Sequence, residues 1–199
     1  MTSDPNNDGI TPLTLDERQG LIAGWVATRA DLNAAERDNI GRARASLRRC
    51  RAPVSVEKIL TEPFLKDLHR RMCGAVWKWA GQYRRSDKNI GPPWYQVPMD
   101  MQMLLGDATA WRAGKVYGPD EFAVRFAHRL VAIHPWPNVN GRHSRLTGDL
   151  LAVALGGSPF TWGGGADLAL KGGTRDRYIA ALRRADAGSL GELIAFARS

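Results

Sequence analysis

Cysteine is scarce in this chain: Cys50 and Cys73 are the two present, without metal-ligand spacing, which argues against a thiolate metal site and favours buried thiols over a disulfide. No stretch approaches the roughly twenty apolar residues that a bilayer span requires, which excludes a helical membrane protein. The opening "MTSDPNNDGITP" has neither the basic start nor the apolar core of a secretory signal, so a cytoplasmic location is expected. There is no "GxxxxGK" phosphate loop, no internal repeat and no low-complexity tract. A helix-turn-helix signature and the interleaved aromatics of a single-strand platform are also lacking, which argues against nucleic acid as the partner.

What is present suits a soluble domain. The 199 residues can bury a proper core, and 44% apolar with 24% charged residues is an ordinary globular balance. The net charge of +8 fits a nucleic-acid surface, a polyphosphate ligand or an acidic protein partner, and charge alone does not choose among them.

Periodicity predicts an all-α bundle with one small β-hairpin. Residues 1–12 read as disordered, and residues 13–54 as N-terminal helices. A helix is expected from a capping box at Thr14 and Glu17 through "RQGLIAGWVATRA", and a second, arginine-rich one over "DLNAAERDNIGRARASLRR". A third is expected over "LTEPFLKDLHRRMCGAVWKWAG", closed by Gly81, with Trp77 and Trp79 in the core or at its rim. "QYRRSDKNIGPPWYQVP" lacks a helical period and reads as a loop or hairpin. Four further helices follow in "PMDMQMLLGDATAWRAG", "PDEFAVRFAHRLVAI", "GRHSRLTGDLLAVALG" and "TRDRYIAALRRADAG", then a short one in "SLGELIAFARS" with a capping box at Ser189 and Glu192. "TWGGG" at 161–165 reads as a turn.

The chemistry concentrates in "HPWPNVNGRHSR", residues 134–145, between two of those helices. Pro135 and Pro137 end the first helix, and the second begins near Asn140 or Gly141, leaving free backbone N–H groups and the positive end of a dipole. Gly141 permits close approach, while Arg142 and Arg145 carry guanidinium forks suited to phosphate oxygens. A neutral imidazole at His134, facing the same anion, is placed to take a proton from an incoming hydroxyl.

This stretch resembles the Fic signature H-x-F-x-(D/E)-G-N-(G/K)-R-x-x-R, matched at His134, at aromatic Trp136 for Phe, and at Asn140, Gly141, Arg142 and Arg145. "GQYRRSDKNIG…VP" is similar to the family's flap hairpin and "YIAALRRADAGSLGELIAF" to its C-terminal helices, so residues 55–199 read as a Fic domain. The whole chain is similar to the bacterial subgroup called mobile mystery protein B.

The resemblance implies a Fic-type helical bundle with a β-hairpin flap. It implies transfer of AMP from ATP, with Mg²⁺, to a Ser, Thr or Tyr hydroxyl of a target protein. His134 would be the general base, Asn140, Gly141 and Arg142 would hold the phosphates, and Arg145 would grip the terminal phosphate. Lys88, Asn89, Ile90 and Gly91 would face the target by main-chain pairing. A small regulatory or antitoxin-like partner is also implied; no membrane is.

Two positions depart from the signature. Asn138 stands at the acidic, Mg²⁺-holding position, where a neutral amide is a weaker ligand, and Val139 replaces a glycine where positive φ or close approach to phosphate is needed. These departures leave open a variant Fic chemistry, such as removal of AMP or another phosphotransfer. They also leave open a catalytically impaired basic binding module using "RARASLRRCR" at 42–51. The family's inhibitory motif, (S/T)-x-x-x-E-(G/N), has a counterpart at Glu36, with Leu32 and Arg37 at its flanking positions. The competing reading makes Glu36 a solvated helix carboxylate.

Overall fold

A computed structural model describes residues 19–22, 24–49, 53–165, 168 and 172–199. The predicted disordered start, the Thr14–Glu17 capping box and Cys50 lie outside the described residues. By packing, the chain divides into one unit of Met1–Arg51 with Leu65–Gln82 and a second of Ala52–Phe64 with Tyr83–Ser199.

The first unit is built on α1, Arg29–Arg48. Thr28 caps it: its hydroxyl accepts from the Asp31 N–H at 3.2 Å, and the Asp31 carboxylate accepts from the Thr28 N–H at 2.9 Å. Those bonds hold the Asp31 carboxyl below its usual range. Leu32, Ala35, Glu36, Asn39, Ile40 and Ala43 form the buried stripe, at the helical spacing of three and four.

Against that stripe lies the chain from Leu65 to Gln82. Helix α3, Glu62–Cys73, ends well before Gly81, shorter than its apolar spacing predicts. The Asn39 side chain holds that exit, donating to the Arg71 carbonyl at 2.7 Å and accepting from the Ala75 N–H at 3.2 Å. Beyond it Trp77 is buried, and its indole N–H donates to Glu36 at 2.8 Å. The buried His69 ring accepts from the Gly81 N–H at 2.9 Å.

The predicted continuous helix across residues 18–30 is corrected by the same packing. Residues 21, 22 and 24–28 are bridge, bend, turn or irregular backbone, since Leu21 pairs edge to edge with Trp77. Ile22 N–H donates to Val76 at 2.8 Å and Lys78 N–H to Gly20 at 2.9 Å. Backbone partners across the unit thus replace those a helix would have supplied.

The second unit contains α2 (Val56–Ile59), a 3₁₀ turn (Trp94–Gln96), α4 (Val97–Ala113), α5 (Pro119–Ile133), α6 (Asn140–Ala154), α7 (Gly173–Asp186) and α8 (Gly191–Arg198). Helix α5 is central, packing on α4, α6 and α8, while α7 packs on α8. Phe122, Phe126 and Leu130 supply its buried stripe. Proline at the first position of α5 costs nothing there, because that N–H has no intrahelical partner.

One local expectation at the C-terminal end of this unit changes and one holds. Helix α8 starts at Gly191 without a side-chain cap, and the Glu192 carboxylate pairs with Arg184 in place of closing a box with Ser189. "TWGGG" is a turn, as expected. Gly163 sits at φ +80°, and an added Cβ would lie 2.7 Å from the Phe196 ring.

The predicted hairpin flap is likewise corrected: residues 85–93 run through bends and turns, and no strand ladder occurs among the described residues. Pro92 and Pro93 bring no N–H to a ladder. The buried Arg84 guanidinium organises the segment, donating to the His134 carbonyl at 2.7 Å, to Ser86 at 3.2 Å and to Pro92.

Candidate active site

The α5–α6 connection is held from within. Trp136 is fully buried, and the Asn140 side chain ties both of its backbone groups: Oδ1 accepts from the Trp136 N–H at 2.9 Å and Nδ2 donates to its carbonyl at 2.8 Å. The Trp136 indole N–H donates to Nδ1 of the buried His143 at 3.2 Å. Tyr83 packs on the same indole with ring centroids 5.2 Å apart. These contacts define the path of residues 134–140 without any ligand.

The path is strained at both ends. His134 lies at φ 53° and Val139 at φ 67°, so the valine adopts the left-handed backbone that a glycine would take without cost. Such positions cost about 1–3 kcal/mol each and persist only where the surroundings impose them. At Val139 the compensation is burial of its side chain and a 2.7 Å bond from its N–H to Asn138 Oδ1.

A cavity of about 740 Å³ opens beside this loop. His134, Asn138, Val139, Asn140, Gly141, Arg142 and Arg145 reach it from the loop and α6, and Ile90 and Gly91 from the segment before α4. The sequence-predicted residues of the signature therefore meet at one cavity. Asn140 spends its side chain on Trp136, as described. Lys88 and Asn89 are exposed beside Ile90. Glu36 belongs to the other unit, where it is buried and accepts from Trp77, so it is not a solvated carboxylate.

Sequence reasoning missed the opposite wall. Helix α7 contributes Arg175, Tyr178, Ile179, Leu182, Arg183 and Asp186, and α5 contributes His128. Their spacing in α7 is that of one helical face, and this was the available signal. The Arg145 guanidinium stacks over the Tyr178 ring at 5.3 Å, linking α6 to α7. His128 Nε2 meets Asp186 Oδ1 at 2.8 Å. Among the described residues four arginines thus line the cavity, with Asp186 the carboxylate beside them.

Burial, then the charges of Arg84 and Lys88, push the His134 imidazole below its usual 6.5, only partly offset by the Val131 backbone. Its buried Nδ1 makes no hydrogen bond of good geometry. These effects favour the uncharged ring, which retains a lone pair.

The Mg²⁺ implied by the signature finds a poor donor set. The Asn138 oxygen is a neutral amide carbonyl already accepting from Val139, and the Asp186 carboxylate is engaged by His128. Among the described residues no group of three or more His, Cys, Asp or Glu gathers in metal-holding fashion. These residues do not fit a hard dication.

Residues 59–152 match the sequence model of the Fic/DOC family. The chain is 30% identical over 110 residues to a protein adenylyltransferase Fic of Aedes aegypti, covering 53% of this chain and 22% of that protein. It is 27% identical over 146 residues to one of Drosophila yakuba, covering 71% and 28%. The chain thus spans about a quarter of the length of these curated relatives. Among solved structures, BepC of Bartonella tribocorum with bound AMPPNP superimposes with a TM-score of 0.67 at 16% identity, covering 94% of this chain and 91% of that one. The N-terminal Fic domain of Bep8 from Bartonella sp. 1-1C gives 0.67 at 14%, covering 89% of each. At these identities the structures speak for the fold.

Proposed function

We propose, from the premise that residues 59–152 form a Fic/DOC family domain, that this protein transfers AMP from ATP to a hydroxyl of a protein target. The observation that carries the reading is His134, whose imidazole is biased toward its neutral form by its surroundings, lining one cavity with Arg142, Arg145, Arg175 and Arg183. A base without charge beside a cationic cradle is what attack on a phosphoryl group requires. The names of the curated relatives and the AMPPNP bound to BepC support the same donor.

The target hydroxyl oxygen forms a bond to the α-phosphorus as its proton passes to His134. The bond between that phosphorus and the bridging oxygen of the β-phosphate breaks, and pyrophosphate leaves. Arg142 and Arg145, with the backbone N–H groups opening α6, stabilise charge on the phosphate oxygens. Gly141 leaves room for this: a Cβ there would lie 3.3 Å from the Arg145 guanidinium. Asn140 acts by holding Trp136 and the loop. Residues 88–91, beside His134, would present the target's extended segment.

The test is transfer of label to proteins in a bacterial lysate from ATP labelled at the α- or the γ-phosphate. Label from the α-position alone, lost in His134→Ala, is the expected result. Label from the γ-position would replace AMP transfer with phosphotransfer. Absence of label with ATP binding intact would reduce the protein to a binding module.

A further inference from the structure

We infer that the phosphate chain bound in this cavity is neutralised by arginine and not by a divalent cation, so that nucleotide binding is independent of Mg²⁺. The inference rests on the reading of the cavity as an ATP site, and three features of the chain's own residues carry it.

The first is Asn138. Its carbonyl oxygen is aimed at the Val139 N–H, to which it is bonded at 2.7 Å, and Val139 is the strained residue at φ 67°. Any rotation that turned this oxygen toward a metal ion would weaken part of the compensation for a left-handed valine, and the oxygen would still be a neutral ligand where Mg²⁺ prefers carboxylate.

The second is the distribution of charge. Arg142 and Arg145 rise from α6, while Arg175 and Arg183 face the same cavity from α7, two turns apart on one helical face. Guanidinium remains charged at any accessible pH and grips phosphate oxygens in forked pairs. With the positive end of α6, these groups supply the cationic charge that a metal ion would otherwise bring, and they repel a dication from the same space.

The third is the position of the one carboxylate among the described residues lining the cavity. Asp186 follows Arg175 by eleven residues, which places it about 16 Å away along α7. It is engaged by His128 at 2.8 Å. It lies far along the helix from Arg175 but within one turn of Arg183, so it is its pairing with His128 that sets it apart from a free acidic ligand.

Titration calorimetry on the whole chain tests this, with ATP and with inorganic tripolyphosphate as probes, each in chelator and in excess Mg²⁺. Wild type is expected to bind ATP in chelator at least as tightly as with Mg²⁺, and Arg175→Ala or Arg183→Ala to weaken that binding about tenfold. Asn138→Asp restores an anionic oxygen, and there added Mg²⁺ is expected to tighten ATP binding by about tenfold. Thermal melts show whether each variant is folded, and the wild-type comparison needs no variant. A gain of about tenfold or more in wild-type ATP affinity on adding Mg²⁺ would overturn the inference. Metal-free binding of tripolyphosphate but not of ATP would leave the arginine cradle standing and remove the nucleotide reading. If neither probe binds, both readings fall.

Discussion

At the scale of single residues, His134 shows how the fold tunes a side chain that the sequence only names. Its imidazole is driven toward the neutral form by burial, then by the Arg84 guanidinium, whose Nε also grips the His134 carbonyl at 2.7 Å. The sign follows directly: a lowered pKa means that the proton is lost earlier as pH rises. In an NMR titration of the ligand-free protein, the His134 ring is expected to reach its midpoint below 6.5, the ordinary histidine value. A bound phosphate chain adds negative charge beside the ring, so ATP is expected to move that midpoint upward. A midpoint at or above 6.5 without ligand would mean that the ring is not held neutral by its surroundings. Asn140 carries a related lesson. Its place in the signature suggests a phosphate ligand, whereas its side chain spends both polar atoms on the Trp136 backbone.

At the scale of elements, the segment between Gln82 and α4 is the part on which sequence and structure differ most. Its lack of a helical period allows a loop or a hairpin, but two prolines remove donors from any ladder, and one buried arginine satisfies three carbonyls instead. Gly91 fits this arrangement closely. At φ +95° an added Cβ would lie 2.9 Å from the His134 Cβ and from the Ile133 carbonyl. Gly91→Ala is therefore expected to cost about 1 kcal/mol of stability from backbone conformation. By displacing the segment from His134, it should lower kcat/KM at least tenfold, since about 1 Å of misplacement can cost a hundredfold. A melt and a labelling time course on the same sample separate the two effects. Equal activity with a lowered Tm would show that the segment is a cover with no part in target positioning. Helices α4 to α7, by contrast, start and stop within two residues of their predicted limits, because each has a proline, glycine or loop at its ends.

At the scale of the whole molecule, the chain falls into two packed units, and Glu36 belongs to the one without the signature. Its buried carboxylate accepts from the Trp77 indole at 2.8 Å, so removal and neutralisation have different consequences. Glu36→Ala strands a buried N–H and is expected to destabilise by about 1–3 kcal/mol. Glu36→Gln keeps an acceptor and is expected to stay near wild-type stability. If the Glu36 charge also restrains catalysis, as the inhibitory motif implies, Glu36→Gln raises labelling. Wild-type labelling in a folded Glu36→Gln would confine this residue to its role beneath Trp77.

The sequence by itself determined the helical class and most of the helices of the second unit, and it singled out the candidate cluster from His134 to Arg145, because local spacing encodes helix faces and the signature is contiguous. It also exposed the two departures, Asn138 and Val139. Only the tertiary structure decided what those residues do: that Val139 accepts a left-handed backbone, that Asn138 turns its oxygen inward, and that Asn140 braces the loop. Only it brought Arg175, Arg183, Asp186 and His128 to the cavity. Those residues come from helices distant in sequence, and a helical stripe reads the same whether it faces solvent, core or ligand until its packing partner is known.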